Sequence, residues 1–589
     1  MRFVLAIVFF VLALATLGTG VAQRTLLAGP DHVTLATTAS KPAPVTIIDG
    51  AALNAYPEAQ TVKLAGTSST SFAAYGRTSD VMAWVGNTNY TEVRLNPKTD
   101  ELESTFHHGV ATKVPNPSGS DLWLQQYKFG SFAQFRAKIP ASMSVIAVSN
   151  GRLAAPPSVS VTWPLDNSTP WSGTLILIGA IALIIGIILL LWAFTHLRRT
   201  RGPRRSQPRM PKLPKQPRYK TSARSISSGR AAAGQSGRGK GRRAIRNFVT
   251  IVPVLGISAA LLVGCSAAPA PTVVSDSKLA PKQVGGSGGK IPAVTTVQLQ
   301  EIVRRISKTV GTADANLDPK LIATRMAGAA LEERLANYIV RKARPSMEQS
   351  VDIPDILGNY NLPEATKNTW PRSVFTVVKS GSKSNLEYVG LVLIQKSPRV
   401  NYKVNYAVTL QPNTRLPNVA PAIVGTTRLD PDIGLLKLQP SAIALAYGAI
   451  LDEDSAAPSY KLFQSKGDAF RTQVGLASKQ QQEATLPKTA KLTYTNSNGD
   501  APIVALVTIN SGALVAVDLN ETETVKPDQA GAAVTAPGAI GAYLGTVTST
   551  KGITATYGDQ LLFYVPPGRS SGKIVLLGYS QGLINAEEL

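Results

Sequence analysis

Hydrophobic positions along this chain follow three patterns: unbroken runs, strict alternation, and stripes at helical spacing. Unbroken runs cover residues 3–22, 173–195 and 248–264. The first two are long enough, as helices, to cross a bilayer core about 30 Å thick. The first also suits a cleavable signal, because Gly20 and Ala22 place small residues just ahead of Gln23. The second carries no charge, and Trp171 and Trp192 sit near its ends, where amphipathic rings favour the headgroup level. The third is shorter and contains Pro253, which fits a signal-type apolar region better than an ordinary span.

Between the first two runs, short β-rich segments recur between turn residues. They are residues 45–48, 61–64, 72–75, 81–85, 90–95, 122–127, 135–139, 145–148 and 159–163. That spacing predicts an all-β sandwich over 24–170. Beyond residue 293 the period changes. Thr295 and Gln298 form a capping-box pattern ahead of a stripe of Leu299, Ile302, Val303, Ile306 and Val310. Asp318 and Pro319 then open a second helix expected to run unbroken to Arg344, with Ile322, Met326, Ala330, Leu335 and Ile339 facing inward. Strands follow at 374–378, 388–395 and 401–410, the last alternating strictly through Tyr402, Val404, Tyr406, Val408 and Leu410. The order repeats: helical residues 440–484, then strands at 492–495, 503–509, 513–519, 541–548, 560–565 and 573–578.

The fold class expected is therefore a multidomain membrane protein: an all-β sandwich, two or three transmembrane helices, then α+β with two helix-plus-antiparallel-sheet units. The divisions read as an anchor or signal (1–23), the sandwich (24–170), a transmembrane helix (173–195) and a basic linker (196–246). A transmembrane or lipoprotein-signal helix (247–264), a flexible tether (265–293) and two α+β modules (294–439 and 440–589) follow.

Charge fixes the expected topology. The 589 residues carry a net +25, and 17 Lys and Arg with no Asp or Glu fall within residues 198–246. One stretch thus supplies 17 of the 25 net charges, rather than a folded face, so no nucleic-acid partner is expected. Such a stretch stays cytoplasmic, which puts both folded regions outside. The single cysteine, Cys265, excludes an intramolecular disulfide and any Cys-rich metal site. Leu262, Val263 and Gly264 ahead of it form a lipobox, behind Arg242, Arg243 and Arg246 and an apolar run, and before the sequence SAAPAP. A small residue at −1 admits the signal peptidase, and the thiol takes a diacylglycerol, so Cys265 is the expected lipidation site.

Three motifs suggest chemistry and lack its partners. Gly578-Tyr579-Ser580-Gln581-Gly582 has the spacing of a hydrolase nucleophile elbow, but His32, His107, His108 and His196 are the only histidines and none follows it. Ser580 therefore reads as part of a C-terminal strand ending in a glycine turn. Asp430-Pro431-Asp432 and Asp452-Glu453-Asp454 are acid pairs of a kind that hold a divalent ion with a nucleotide-sugar, yet neither follows a nucleotide-binding strand. His107-His108 beside Glu101 and Glu103 would point to opposite faces of a strand and reads as an exposed turn. No catalytic residue, metal site or cofactor is assigned.

The two helix-then-sheet units resemble tandem NTF2-like modules, in which helices fold over a curved sheet to form a cone. Across most of its length, the chain resembles an uncharacterised family of actinobacterial envelope membrane proteins, some labelled glycosyltransferases. The resemblance rests on Trp163-Pro164-Leu165-Asp166-Asn167-Ser168-Thr169-Pro170-Trp171, on Thr369-Trp370-Pro371-Arg372 and on Leu519-Asn520-Glu521-Thr522-Glu523-Thr524-Val525-Lys526-Pro527. It implies an envelope location and transfers no catalytic residue. The expected role is non-enzymatic binding or scaffolding at the outer face of the cytoplasmic membrane. Expected partners are membrane lipid, and an envelope polysaccharide or another membrane protein. The competing expectation is an enzyme of surface-polysaccharide assembly using a lipid-linked donor.

Overall fold

The structure, a computed structural model, describes residues 1–66, 71–200, 290–366, 368–380, 387–412, 414–546 and 548–589. The basic stretch, the third apolar run, the lipobox with Cys265, and the tether up to residue 289 lie outside the described residues. The chain divides into two compact units, one of residues 1–31 and 166–275, the other of residues 32–165 and 276–589.

In the first unit the described elements are two helices, α1 (Arg2–Thr25) and α4 (Pro170–Thr200). Both are long and apolar enough to cross a membrane, with mean hydropathy of 2.5 and 3.1. They pack antiparallel: Phe3 meets Phe194 edge-on at 5.7 Å, and Gly20 lies against Ile176. A Cβ at Gly179 would stand 2.6 Å from Leu17 Cγ and 2.7 Å from Thr16 Oγ1, so glycine lets the backbones approach. Small residues at such crossings are how apolar helices gain contact where no water drives them together.

The second unit begins with ten strands: β1 (His32–Thr38), β2 (Val45–Ile48), β3 (Gln60–Ala65), β4 (Ser71–Arg77), β5 (Tyr90–Asn96), β6 (Glu101–His107), β7 (Gln125–Phe129), β8 (Phe132–Ala137), β9 (Met143–Val148) and β10 (Ser158–Pro164). They form a four-stranded sheet, β1-β10-β3-β8, and a six-stranded sheet, β6-β5-β2-β9-β4-β7. Every pairing is antiparallel except β2 with β5. One core joins Val62, Phe135, Val161 and Trp163 of the first sheet to Ile48, Tyr75, Val145 and Ala147 of the second, so the two are stacked face to face. Trp163 is fully buried, its indole N–H donating to Leu53 O at 2.8 Å. Two short helices interrupt the strands, α2 (Gly50–Leu53) and α3 (Thr78–Val85). The second replaces the strand expected at 81–85. It starts beside a buried Asp80 and sets Val81, Trp84 and Val85 at helical spacing onto the outer face of the six-stranded sheet.

The remaining strands are β11 (Ile291–Pro292), β12 (Ile356–Pro363), β13 (Ala365–Thr366), β14 (Arg372–Lys379), β15 (Tyr388–Gln395), β16 (Lys403–Leu410), β17 (Arg428–Leu429), β18 (Ala490–Asn498), β19 (Val504–Val507), β20 (Ala513–Pro527), β21 (Val534–Thr535), β22 (Thr548–Ser549), β23 (Ile553–Val565) and β24 (Val575–Glu588). Ten of them form one antiparallel sheet, in the order β12-β14-β15-β16-β24-β23-β20-β19-β17 with β18 beside β20. Its halves are paired at the β16–β24 junction through Thr409 with Tyr579 and Leu410 with Gly578, and there the sheet folds back. Phe375, Val377 and Val392 of one half share a core with Leu514, Ala516 and Leu562 of the other, so the inner faces pack together.

Helices cover both outer faces. Helices α5 (Thr296–Asn316), α6 (Pro319–Ile322) and α7 (Gly328–Ala343) lie over Val374, Val378, Leu391 and Leu393. Helix α8 (Ile443–Glu453) covers Val515, Val517, Leu561 and Phe563. The layers run helix, sheet, sheet, helix. The helical stretch expected over 440–484 is broken, with α9 (Ala469–Val474) and α10 (Leu476–Thr485) following a turn-rich segment. Helix α11 (Gly538–Leu544) joins a smaller core with Val340, Ile553 and Leu583.

The caps read from sequence are present. Thr295 Oγ1 accepts from Gln298 N at 3.2 Å, and Gln298 Oε1 accepts from Thr295 N at 3.0 Å. Asp318 accepts from the backbone of Lys320 and Leu321 at 2.9 and 3.0 Å. The helix opened there does not run on to Arg344. It breaks at Ala323–Ala327, where Arg325 O and Ala327 N bond to Val404 N and O at 2.9 Å each, and Gly328 turns the chain at φ +56°. The tether also ends earlier than expected, because Ile291 and Pro292 pair with Thr366 and Ala365.

Candidate functional site

The break between α6 and α7 has a purpose visible in its side chain. Arg325 leaves the helical path and reaches Asp121, in the loop before β7, with Nη1–Oδ2 at 2.6 Å. Asp121 also accepts from Tyr402 N at 2.9 Å, and Arg305 stands 3.6 Å away. Nearby, Arg372 at the start of β14 pairs with Asp80 of α3 at 2.8 Å, both side chains 1% exposed. Arg372 also lies 3.8 Å above the Trp370 ring. Arg399 donates to Trp84 O and Val85 O at 2.7 and 2.8 Å, Arg77 to Pro292 O at 2.6 Å, and Gln298 to Leu122 O at 3.1 Å. Residues 32–165 and 290–588 are thus joined along a buried polar seam. Trp370 completes the apolar part of it against the cluster holding Trp84 and Trp123.

A second polar cluster lies under α8 and α10. Lys479, nearly buried, donates to Asp452 Oδ1 at 2.6 Å and makes a shorter contact with Glu521, while its ammonium stands 4.6 Å over the Tyr494 ring. Asp559, fully buried on β23, accepts from Gln581 at 2.9 Å. Burial, then the neighbouring Glu521, pushes its carboxyl well above the usual range. Burial likewise raises Glu521 and Glu523, with Lys479 pulling the other way. One largely buried lysine held by Asp452 and Glu521 beside further buried carboxylates is a packed structural network.

Both acid pairs singled out in the sequence are engaged. Asp452 takes Lys479 and also Asn496 Nδ2 at 2.6 Å, and Asp454 pairs with Arg471. Asp430 accepts from Asp432 N at 2.9 Å, and Asp432 from the Ser441 hydroxyl at 2.6 Å. Among the described residues no group of acids, histidines or cysteines is placed to hold a metal ion. His107 ends strand β6, not a turn. It stacks on Tyr90 at 4.6 Å, with Nε2 2.9 Å from Glu92.

The Ser580 motif is neither an elbow nor a strand end. It lies inside β24, and its two glycines are explained by close approach. A Cβ at Gly578 would stand 2.7 Å from Thr409 O, and one at Gly582 would collide with the Glu333 side chain. Ser580 Oγ donates to Glu333 Oε2 at 3.0 Å, and Gln560 Nε2 to the same oxygen at 2.6 Å. Glu333 was missed in the sequence because it reads there as one more charge on a helix.

An open cleft of about 800 Å³ lies at the edge of the first half-sheet. Tyr360, Tyr388, Lys379, Glu387 and Gln411 are among the residues lining it. Tyr388 is 43% exposed, whereas Gln411 is buried and bonded to Leu576 O and Ala469 N. The cleft combines an accessible aromatic face with hydrogen-bonding side chains of both signs.

Residues 290–588 match the model of a domain of unknown function (DUF8094). No match is found among curated proteins or among solved structures. Residues 32–165, which supply Asp80 and Asp121 to the seam, lie outside the matched range.

Proposed function

We propose that this chain, which belongs to the DUF8094 family, is a non-catalytic binding or scaffolding protein of the cell envelope, anchored in the cytoplasmic membrane. Helices α1 and α4 cross the bilayer, residues 32–165 and 290–588 stand together on its outer side, and the basic stretch 198–246 is cytoplasmic. The observation that carries this reading is the seam. Two regions joined by Asp80–Arg372 and Asp121–Arg325 would have to lie on the same side of a bilayer that α1 and α4 cross. Residues 32–165 lie between α1 and α4, so the chain has to return across the bilayer between residues 200 and 290. The apolar run 248–264 is the segment the sequence offers for that return. Cys265, with its lipobox Leu262, Val263 and Gly264, is where a lipid would attach; Cys265→Ala should then abolish the mobility shift of a lipidated C-terminal fragment on a blot.

The cleft at Tyr388 supports the binding half of the reading. An exposed ring flanked by Lys379 and Glu387 suits a sugar polymer, which presents apolar ring faces and hydroxyls together. Retention of the purified chain on envelope glycan should fall several-fold in Tyr388→Ala, with lipid-linked sugar donors left unchanged by the protein. Turnover of such a donor that disappears in Glu387→Gln would replace this reading with the enzymatic one.

A further inference from the structure

The seam carries more positive charge than its own carboxylates neutralise. Arg77, 3% exposed, donates through Nη1 to Pro292 O, but among the described residues its Nε and Nη2 find no hydrogen-bond partner. Arg372, 1% exposed, uses Nη2 for Asp80 and Nε for Thr369 O, leaving Nη1 unpaired. The hydroxyl of Tyr402, also 1% exposed, is unpaired too. These groups lie within electrostatic reach of one another: Arg77 feels Asp80, Arg372 and Tyr402, and Tyr402 feels Arg372, Asp80, Asp121 and Arg77. Asp121 is already committed to Arg325 and the Tyr402 backbone. Arg77 and Arg372 therefore share Asp80 in a place closed to bulk water, while Glu364, also within reach of Arg372, is shared with Arg428 and pushed toward its neutral form by burial.

Unpaired donors and uncompensated charge are both costly when buried. Water could satisfy the four polar atoms but not the charge, and a divalent anion would reverse the imbalance. A single small monovalent anion answers both, and guanidinium N–H groups bind anions well. We propose that the seam binds a chloride-sized monovalent anion between Arg77, Arg372 and Tyr402, so that the ion helps to hold residues 32–165 against residues 290–588.

The test is thermal unfolding of the detergent-solubilised full chain in sodium chloride and in sodium gluconate at matched ionic strength. A ligand that binds only the folded state raises the midpoint with its concentration, here by about 2 °C per tenfold chloride above half-saturation. Gluconate, a bulky polyhydroxy carboxylate in place of a small spherical ion, should give no such rise. Arg77→Met and Tyr402→Phe should each weaken the chloride dependence; Tyr402→Phe preserves packing should Arg77→Met fail to fold. Equal midpoints in the two salts would overturn the proposal. So would an undiminished chloride effect in Tyr402→Phe, which would place the ion elsewhere.

Discussion

Asp80 and Asp121 are buried carboxylates whose arginine partners come from 292 and 204 positions away in the chain. Removing one member of such a pair strands the other charge, so Asp80→Ala and Asp121→Ala should each cost about 3–5 kcal/mol. Replacing Asp80 and Arg372 together by leucine should recover much of that loss, as seen by chemical denaturation. Asp518 poses a different problem. Burial, reinforced by Glu332 and Asp500, pushes its carboxyl up to about 7, and among the described residues its Oδ1 has no hydrogen-bond partner. Between its ordinary value of 3.8 and about 7 the folded chain holds a proton that the unfolded chain has lost. Its contribution therefore makes stability fall as pH rises through that window and level off above it. Asp518→Asn should flatten this limb and raise the unfolding midpoint at pH values above about 7. For Ser580, which hydrogen-bonds to Glu333, Ser580→Ala should cost about 1–3 kcal/mol. A fluorophosphonate probe should not label Ser580 in the intact protein.

Where an element depends on residues close in sequence, the sequence was readable. The caps at Thr295 and Asp318 and the two apolar helices are local matters of propensity, capping and run length. Where it depends on a distant strand, it was not. Ile322, Met326 and Ala330 keep a helical period straight through the break, which comes from pairing with Val404. Gly328 is the trace that break leaves, and at φ +56° Gly328→Ala should cost about 1–2 kcal/mol in unfolding free energy. The glycines at 578 and 582 misled for the same reason, because their requirement is set by the Thr409 carbonyl and by Glu333.

For the whole molecule, residues 32–165 and 276–589 form one compact unit. A seam of isolated arginines and aspartates has no periodicity, so nothing short-range announced it. The cleft was equally hidden, since Tyr360, Tyr388 and Gln411 meet only when the first half-sheet forms. If the seam is as firm as its buried pairs imply, cutting the chain at a protease site inserted near residue 285 should leave the two fragments co-eluting in detergent, and Asp121→Ala should loosen them. The most direct measurement concerns sidedness. In a Cys265→Ala background, single cysteines at the exposed positions Lys98 and Lys466 would be treated in intact cells with a membrane-impermeant maleimide. Both should react, while a cysteine at Ser227 should react only after permeabilisation. Labelling at one of Lys98 and Lys466 without the other would contradict a shared side, and protection of both would contradict the outward orientation.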